Sequence, residues 1–262
     1  MTDSAQGFRI TSLGKLRMKD AWRLELLHSQ PLHRLYWITR GQGRATIRGV
    51  TRGYGPNTAM FLPAGTQMAM ELPAQLQGIE LALPADNELG LPQTPFQRRI
   101  ATIEGQASLT GHLERAEREI STQAPAMNRA LMGYGLLISA WVTRETGDDH
   151  GLALRERSHR LAEDFADAVE GRFRSGAGVA DYAQALNVTP THLSRVCRDA
   201  SGRPALALLN ERIMYEARRL LRDTDMPARE IAETLGFSSA AYFTRAFQQA
   251  TGKAPIAYRG GR

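Results

Sequence analysis

The spacing of apolar residues changes twice along the chain. Between about residues 20 and 84 they come in short runs broken by turn residues. Leu24-Glu25-Leu26 alternates and ends before Pro31, and Leu35-Tyr36-Trp37-Ile38-Thr39 stops at Gly41-Gln42-Gly43. Arg44-Ala45-Thr46-Ile47-Arg48 alternates polar with apolar, the pattern of a half-buried strand. Gly49, Gly53, Gly55-Pro56-Asn57 and Pro63-Ala64-Gly65 mark further turns. Short strands at this spacing predict a small antiparallel barrel or sandwich. From Ser108 the period becomes helical, with Leu109, Leu113, Ala116 and Ile120 on one face and Arg115, Glu117, Arg118 and Glu119 largely on the other. Pro125 ends that helix. A second, over 126–146, carries Leu131, Met132, Leu136, Ile138 and Trp141 and is apolar on more sides than one barrel would cover. The stretch from Ser108 to Thr146 is therefore expected to be the contact of a homodimer.

Gly147-Asp148-Asp149-His150-Gly151 is polar and glycine-flanked, which divides the chain into domains at 1–150 and 151–262. Beyond it, Leu154 to Phe173 reads as an amphipathic helix, and one signature then occurs twice. The first copy has Ala183, Leu186, Val188, Leu193-Ser194-Arg195-Val196-Cys197 and Gly202; the second has Ala232, Leu235, Phe237, Phe243-Thr244-Arg245-Ala246-Phe247 and Gly252. Each predicts a helix, a short turn and a second amphipathic helix, the build of a helix-turn-helix. Arg195 and Arg245 stand 50 residues apart, joined by a helix predicted from about Pro204 to Leu221. Such a rod is roughly 27 Å long, able to set two helices about one DNA turn apart, near 34 Å.

Composition adds less. The chain has 262 residues, with 42% hydrophobic and 23% charged content close to globular averages. A net charge of +6 permits a polyanionic partner. Only Lys15, Lys19 and Lys253 are lysines; arginine supplies the other basic residues. No apolar run reaches the roughly 20 residues of a membrane span. The first five residues do not read as a secretory signal, and one cysteine permits no internal disulfide, so a cytoplasmic, nucleoid-associated location is expected.

At Gly236-Phe237, Tyr242-Phe243-Thr244-Arg245-Ala246-Phe247, Gly252-Lys253-Ala254-Pro255 and Tyr258-Arg259 the chain resembles the AraC/XylS family of bacterial transcription regulators. The resemblance runs from near Arg160 to Arg259 and includes both copies. It implies two helices entering successive major grooves of promoter double-stranded DNA, and RNA polymerase as a further partner. The strand-rich half resembles the family's cupin-like effector domain. The expected fold is thus a cupin-like barrel with a helical dimerisation segment, followed by an all-α domain of two helix-turn-helix motifs and a linker helix.

The family's base-reading positions fall on Thr191, Ser194 and Arg195, and on Ala240, Ala241, Thr244 and Arg245. Arginine can grip guanine O6 and N7, whereas threonine and alanine can meet a thymine methyl. Ala240 and Ala241 offer no hydrogen bonds, so the second helix is expected to read fewer bases. Arg198, Ser238, Ser239 and Lys253 are the expected phosphate contacts. Cys197 replaces the family's usual large aromatic and lies on an apolar face, which favours packing over redox sensing. His28 and His33 lack the His-x-His pair followed by Glu that a cupin metal site needs, so neither metal nor cofactor is expected. His33 and Trp37 are instead the candidates for the wall of a small-molecule effector pocket. The leading function is an effector-controlled transcription regulator rather than an enzyme. The alternatives are a cupin-type metal enzyme with a DNA-binding appendage and a regulator with no small-molecule effector.

Overall fold

The computed structural model describes residues 7–146 and 157–260. The predicted linker at 147–151, and with it the domain boundary, lies outside the described residues. No helix among them is long and apolar enough to cross a membrane.

The N-terminal half begins with β1 (Arg9–Ser12), α1 (Leu13–Asp20) and α2 (Trp22–Glu25). It continues through β2 (His33–Arg40), β3 (Gly43–Ile47), β4 (Val50–Tyr54), β5 (Thr58–Leu62), β6 (Met68–Met70), β7 (Gln77–Leu83) and β8 (Phe96–Arg99). Two long helices follow, α3 (Ile103–Thr122) and α4 (Met127–Thr146). The strands form a five-stranded sheet ordered β1-β7-β2-β5-β8 and a three-stranded sheet ordered β4-β3-β6. The expected closed barrel is not formed. Gly41, at φ +87°, turns the chain from β2 in one sheet to β3 in the other. An isolated bridge, His28 with Met68, is formed beside the smaller sheet, and β4 meets helices of the C-terminal half instead of a strand of the larger sheet.

The larger sheet is a middle layer, buried on both faces. Alternation along β2, β5 and β7 sends Leu35, Trp37, Ala59, Phe61, Leu81 and Leu83 toward α3 and α4, where Leu109, Leu113, Ile138 and Trp141 cover them. Tyr36, Ile38, Met60 and Leu62 take the opposite face and pack with Ala45, Ile47, Met68 and Met70 of the smaller sheet. A further departure concerns Leu24-Glu25-Leu26, expected as a strand. One helical turn forms there, because the Asp20 carboxylate accepts from Trp22 Nε1 at 3.0 Å and Arg23 Nε at 3.3 Å. Helix α3 also starts five residues before the expected Ser108, capped by the Thr102 hydroxyl.

The C-terminal half is all α: α5 (Arg157–Arg172), α6 (Val179–Ala185), α7 (Pro190–Ser201), α8 (Ala205–Asp223), α9 (Ala228–Thr234), α10 (Ala240–Thr251) and α11 (Pro255–Gly260). Its core includes Leu27 and Ala69 from the N-terminal half, so the two halves share apolar packing. Val50 packs with Ala162 of α5 and Ala200 of α7. Arg48 pairs with Asp167 and, at 3.5 Å, with Glu163.

A charged seam completes this joint. Arg212 of α8 is buried, its guanidinium 3.8 Å from the Phe173 ring centre. Its Nε donates to Glu170 at 2.8 Å, and Glu216 lies 3.6 Å from its Nη1. Glu170 also accepts from Ser29 Oγ at 2.8 Å and Gln67 Nε2 at 3.1 Å, both from the N-terminal half. The fully buried His28 ring stacks on Tyr215 with centres 4.7 Å apart, and its Nδ1 donates to the Leu26 carbonyl at 2.8 Å.

Removing Arg212 strands two carboxylates in a largely buried site. Arg212→Met is expected to cost about 3–5 kcal/mol, read as a lowered urea midpoint of the full chain. A variant with wild-type stability would show that the seam contributes little. Burial also lowers the His28 pKa from 6.5 to about 4. The unfolded chain then binds the proton more readily than the folded one. The stabilisation is whole above pH 6.5 and is lost as pH falls toward 4, on the order of 3 kcal/mol in all. Urea midpoints compared at pH 7.5 and 4.5 should fall less steeply for His28→Phe than for wild type.

Candidate nucleic-acid interface

The repeated signature folds into two matching units. Helices α6 and α9 have 7 residues each, and α7 and α10 have 12 each. Each unit turns after its first helix through a residue of positive φ, Asn187 at +57° and Gly236 at +73°. The turns are tied alike, Val188 N to Ala183 O and Phe237 N to Ala232 O, both at 2.9 Å. The second helices are capped alike too. Thr189 Oγ1 accepts from His192 N at 3.2 Å, and Ser239 Oγ accepts from Tyr242 N at 3.1 Å. Gly202 and Gly252, at φ +75° and +73°, end them in the left-handed conformation.

Two features fix the units relative to each other. Helix α8 has 19 residues, a rod of roughly 28 Å. The backbones of Gly176 and Gly236 also touch. A Cβ added at Gly236 would lie 2.2 Å from Gly176 N, so the approach requires glycine.

In α7, Leu193 and Cys197 are fully buried. Thr191, Arg195 and Arg198 are exposed, and Ser194 is half-buried. In α10, Phe243 and Phe247 are buried, Ala240, Ala241 and Arg245 are exposed, and Thr244 is half-buried with its hydroxyl donating to Ala240 O at 2.8 Å. Ser238 and Lys253 are exposed. Ser239 spends one acceptor on its cap, at a helix start whose free N–H groups and dipole favour an anion. Burial pushes the Cys197 thiol up to about 12, leaving it protonated and unreactive. Phe165 of α5, edge-on to Tyr182 with ring centres 5.6 Å apart, belongs to the same core.

Two side chains of this face were missed in the sequence. His192 Nδ1 accepts from Arg195 Nη2 at 3.1 Å, since a guanidinium can only donate. The i, i+3 spacing was the available signal. Tyr242 is 53% exposed, its ring 5.7 Å from that of Phe237, and it gives α10 the polar and aromatic reach that Ala240 and Ala241 lack.

His33 and Trp37 do not face the space between the sheets. Both are buried: Trp37 lies on the helix-facing side with Nε1 donating to Thr110 Oγ1 at 3.1 Å, and His33 stacks near Phe61 and accepts Ala64 N–H at 3.1 Å. Desolvation lowers the His33 pKa, keeping it neutral. Among the described residues no group of three or more His, Cys, Asp or Glu is placed to hold a metal ion.

A two-unit helix-turn-helix domain with these spacings defines the class, and comparison with known proteins agrees. A family described as "Helix-turn-helix domain" matches residues 182–261. The arabinose operon regulatory protein of Escherichia coli is 29% identical over 108 residues, 41% of this chain and 35% of that one. The Msm operon regulatory protein of Streptococcus mutans is 22% identical over 236 residues, 86% of this chain and 83% of that one. ToxT of Vibrio cholerae, in a fatty acid-bound structure, aligns over 99% of this chain and 97% of its own at 12% identity, with a TM-score of 0.45. The chain spans about a third of the length of the first curated relatives it matches, 36% and 35%. Its C-terminal half thus carries a helix-turn-helix domain similar to that of the arabinose operon regulatory protein.

Proposed function

We propose that the protein is a sequence-specific DNA-binding transcription regulator that acts in the cytoplasm on promoter DNA. One observation carries this reading: two helices of equal length, capped alike, each present an exposed arginine at the same position. Arg195 with Thr191 and Ser194, and Arg245 with Thr244, Ala240 and Ala241, read bases. Arg198, Ser238, Ser239 and Lys253 hold phosphates. RNA polymerase is the downstream partner by family resemblance. The N-terminal half, packed on α5, α7 and α8, is the regulatory part, and it carries no catalytic role in this reading. A small molecule regulates it by binding one arrangement of the two halves better than another.

Replacing Arg195 by Ala is expected to cost about 1–3 kcal/mol and to relax preference at one base pair, whereas Lys253→Ala should weaken all sequences about equally. Arg245→Ala should cost less than Arg195→Ala. Fluorescence anisotropy on a selected site and on random duplex reads all three. Unchanged affinities for Arg195→Ala on both duplexes would overturn the base-reading assignment.

The same reading includes a homodimer through α3 and α4. Leu136 and Leu137, each 49% exposed, lie on the outer face of α4. Exposed Glu114, Arg115, Glu117 and Arg118 on α3 carry both charges, as a self-complementary contact requires. Sedimentation of the full chain should give a dimer that Leu136→Glu/Leu137→Glu converts to monomer; a monomeric wild type at tens of micromolar rules the contact out.

A further inference from the structure

Two of the chain's three lysines, Lys15 and Lys19, stand one turn apart on α1. Both line a cleft of about 1010 Å³ between the N-terminal half and α8. No ion pair joins either to a carboxylate among the described residues. On the other wall, Arg174 and Arg219 both bond Glu216, Arg219 Nη2 at 2.7 Å, and Arg212 sits 3.6 Å from the same carboxylate. Arg23 closes one side by pairing with Asp223 at 2.6 Å. With Arg9, the lining holds seven cations against three carboxylates, Asp20, Glu216 and Asp223. Leu16, Leu24 and Tyr215 add apolar surface.

So many like charges around one cleft repel each other, and an anion there relieves the repulsion. Guanidinium forks match carboxylate or phosphate oxygens in pairs, and lysines add mobile point charges. In a chain this poor in lysine, two of them facing α8 across the cleft form a distinct second anchor. We propose that the cleft binds a small molecule bearing at least two anionic groups, phosphate or carboxylate, with one end on Lys15 and Lys19 and the other on Arg219 and Arg174. Because the walls come from both halves, the bound molecule tightens the docking of the N-terminal half on the helix that spaces the two DNA-reading units. This regulatory consequence rests on the function proposed above; the binding itself does not.

The test is calorimetric titration of the full chain, without DNA, with pyrophosphate and with citrate at constant ionic strength. Saturable binding of at least one probe is expected. It should weaken at least about tenfold in Lys15→Ala/Lys19→Ala and in Arg219→Gln, and stay unchanged in Arg40→Ala, an exposed cation outside the cleft. Pyrophosphate alone supports a phosphorylated ligand, citrate alone a polycarboxylate. Equal affinity in wild type and the double-lysine variant overturns the proposal. So does the absence of saturable binding below a Kd of about 1 mM with either probe. Loss of random-duplex affinity in the double-lysine variant, with no binding of either probe, overturns it too, since the lysines would then be DNA phosphate contacts. A chain that binds a probe but no DNA keeps this site and loses the regulator reading.

Discussion

The joint between the two halves depends on taking the Arg212 charge out of water. Isolated, a buried guanidinium would cost several kcal/mol. Here it lies against the Phe173 ring, with Glu170 and Glu216 as counter-charges from α5 and α8. Those carboxylates need further donors, and Glu170 finds them in Ser29 and Gln67 of the N-terminal half. Glu216 takes Arg174 and Arg219, and its pKa falls to about 2, where these arginine bonds outweigh the desolvation that opposes them. Docking of the sheets and formation of the helical core are thereby parts of one network. Leu27 and Ala69 add apolar contacts to the same joint.

The C-terminal domain was legible because its chemistry is local and stated twice. Helix starts, turns, left-handed glycines and inward-facing residues recur at a fixed offset, so each copy checks the other. In the N-terminal half, alternation marked β2 and β3 but could not say which sheet either joins. Nor could it show that the middle sheet is covered on both faces. His33 and Trp37 illustrate the difficulty. A histidine at a strand start near a tryptophan suits a pocket wall, yet their parity along β2 turns them toward α3 and α4.

The seam was illegible for a different reason. Glu170, Arg212 and Glu216 sit on helices where charges ordinarily mean solvent, and the contacts that tie them across elements, Arg212 to Glu170, Arg174 to Glu216 and Ser29 to Glu170, span 42 to 141 residues. Only tertiary packing distinguishes a buried arginine from an exposed one. The reading face raises a milder case of the same kind. The alanines of α10 suggested a poor reader, whereas folding stands Tyr242 beside them through its contact with Phe237.

The glycine-to-glycine contact between the turn before α6 and the turn of the second unit has a consequence for the operator. With α8 as one tie and Gly176 on Gly236 as another, the swivel of α7 against α10 is restricted. DNA advances by a turn every 10–10.5 base pairs, so one inserted pair rotates a distal half-site by about 35°. A protein articulated by a flexible tether would follow that rotation. On the function proposed above, this one would have to twist the duplex or release one helix, so the angular phase of the operator, and not only its letters, would be part of what is recognised.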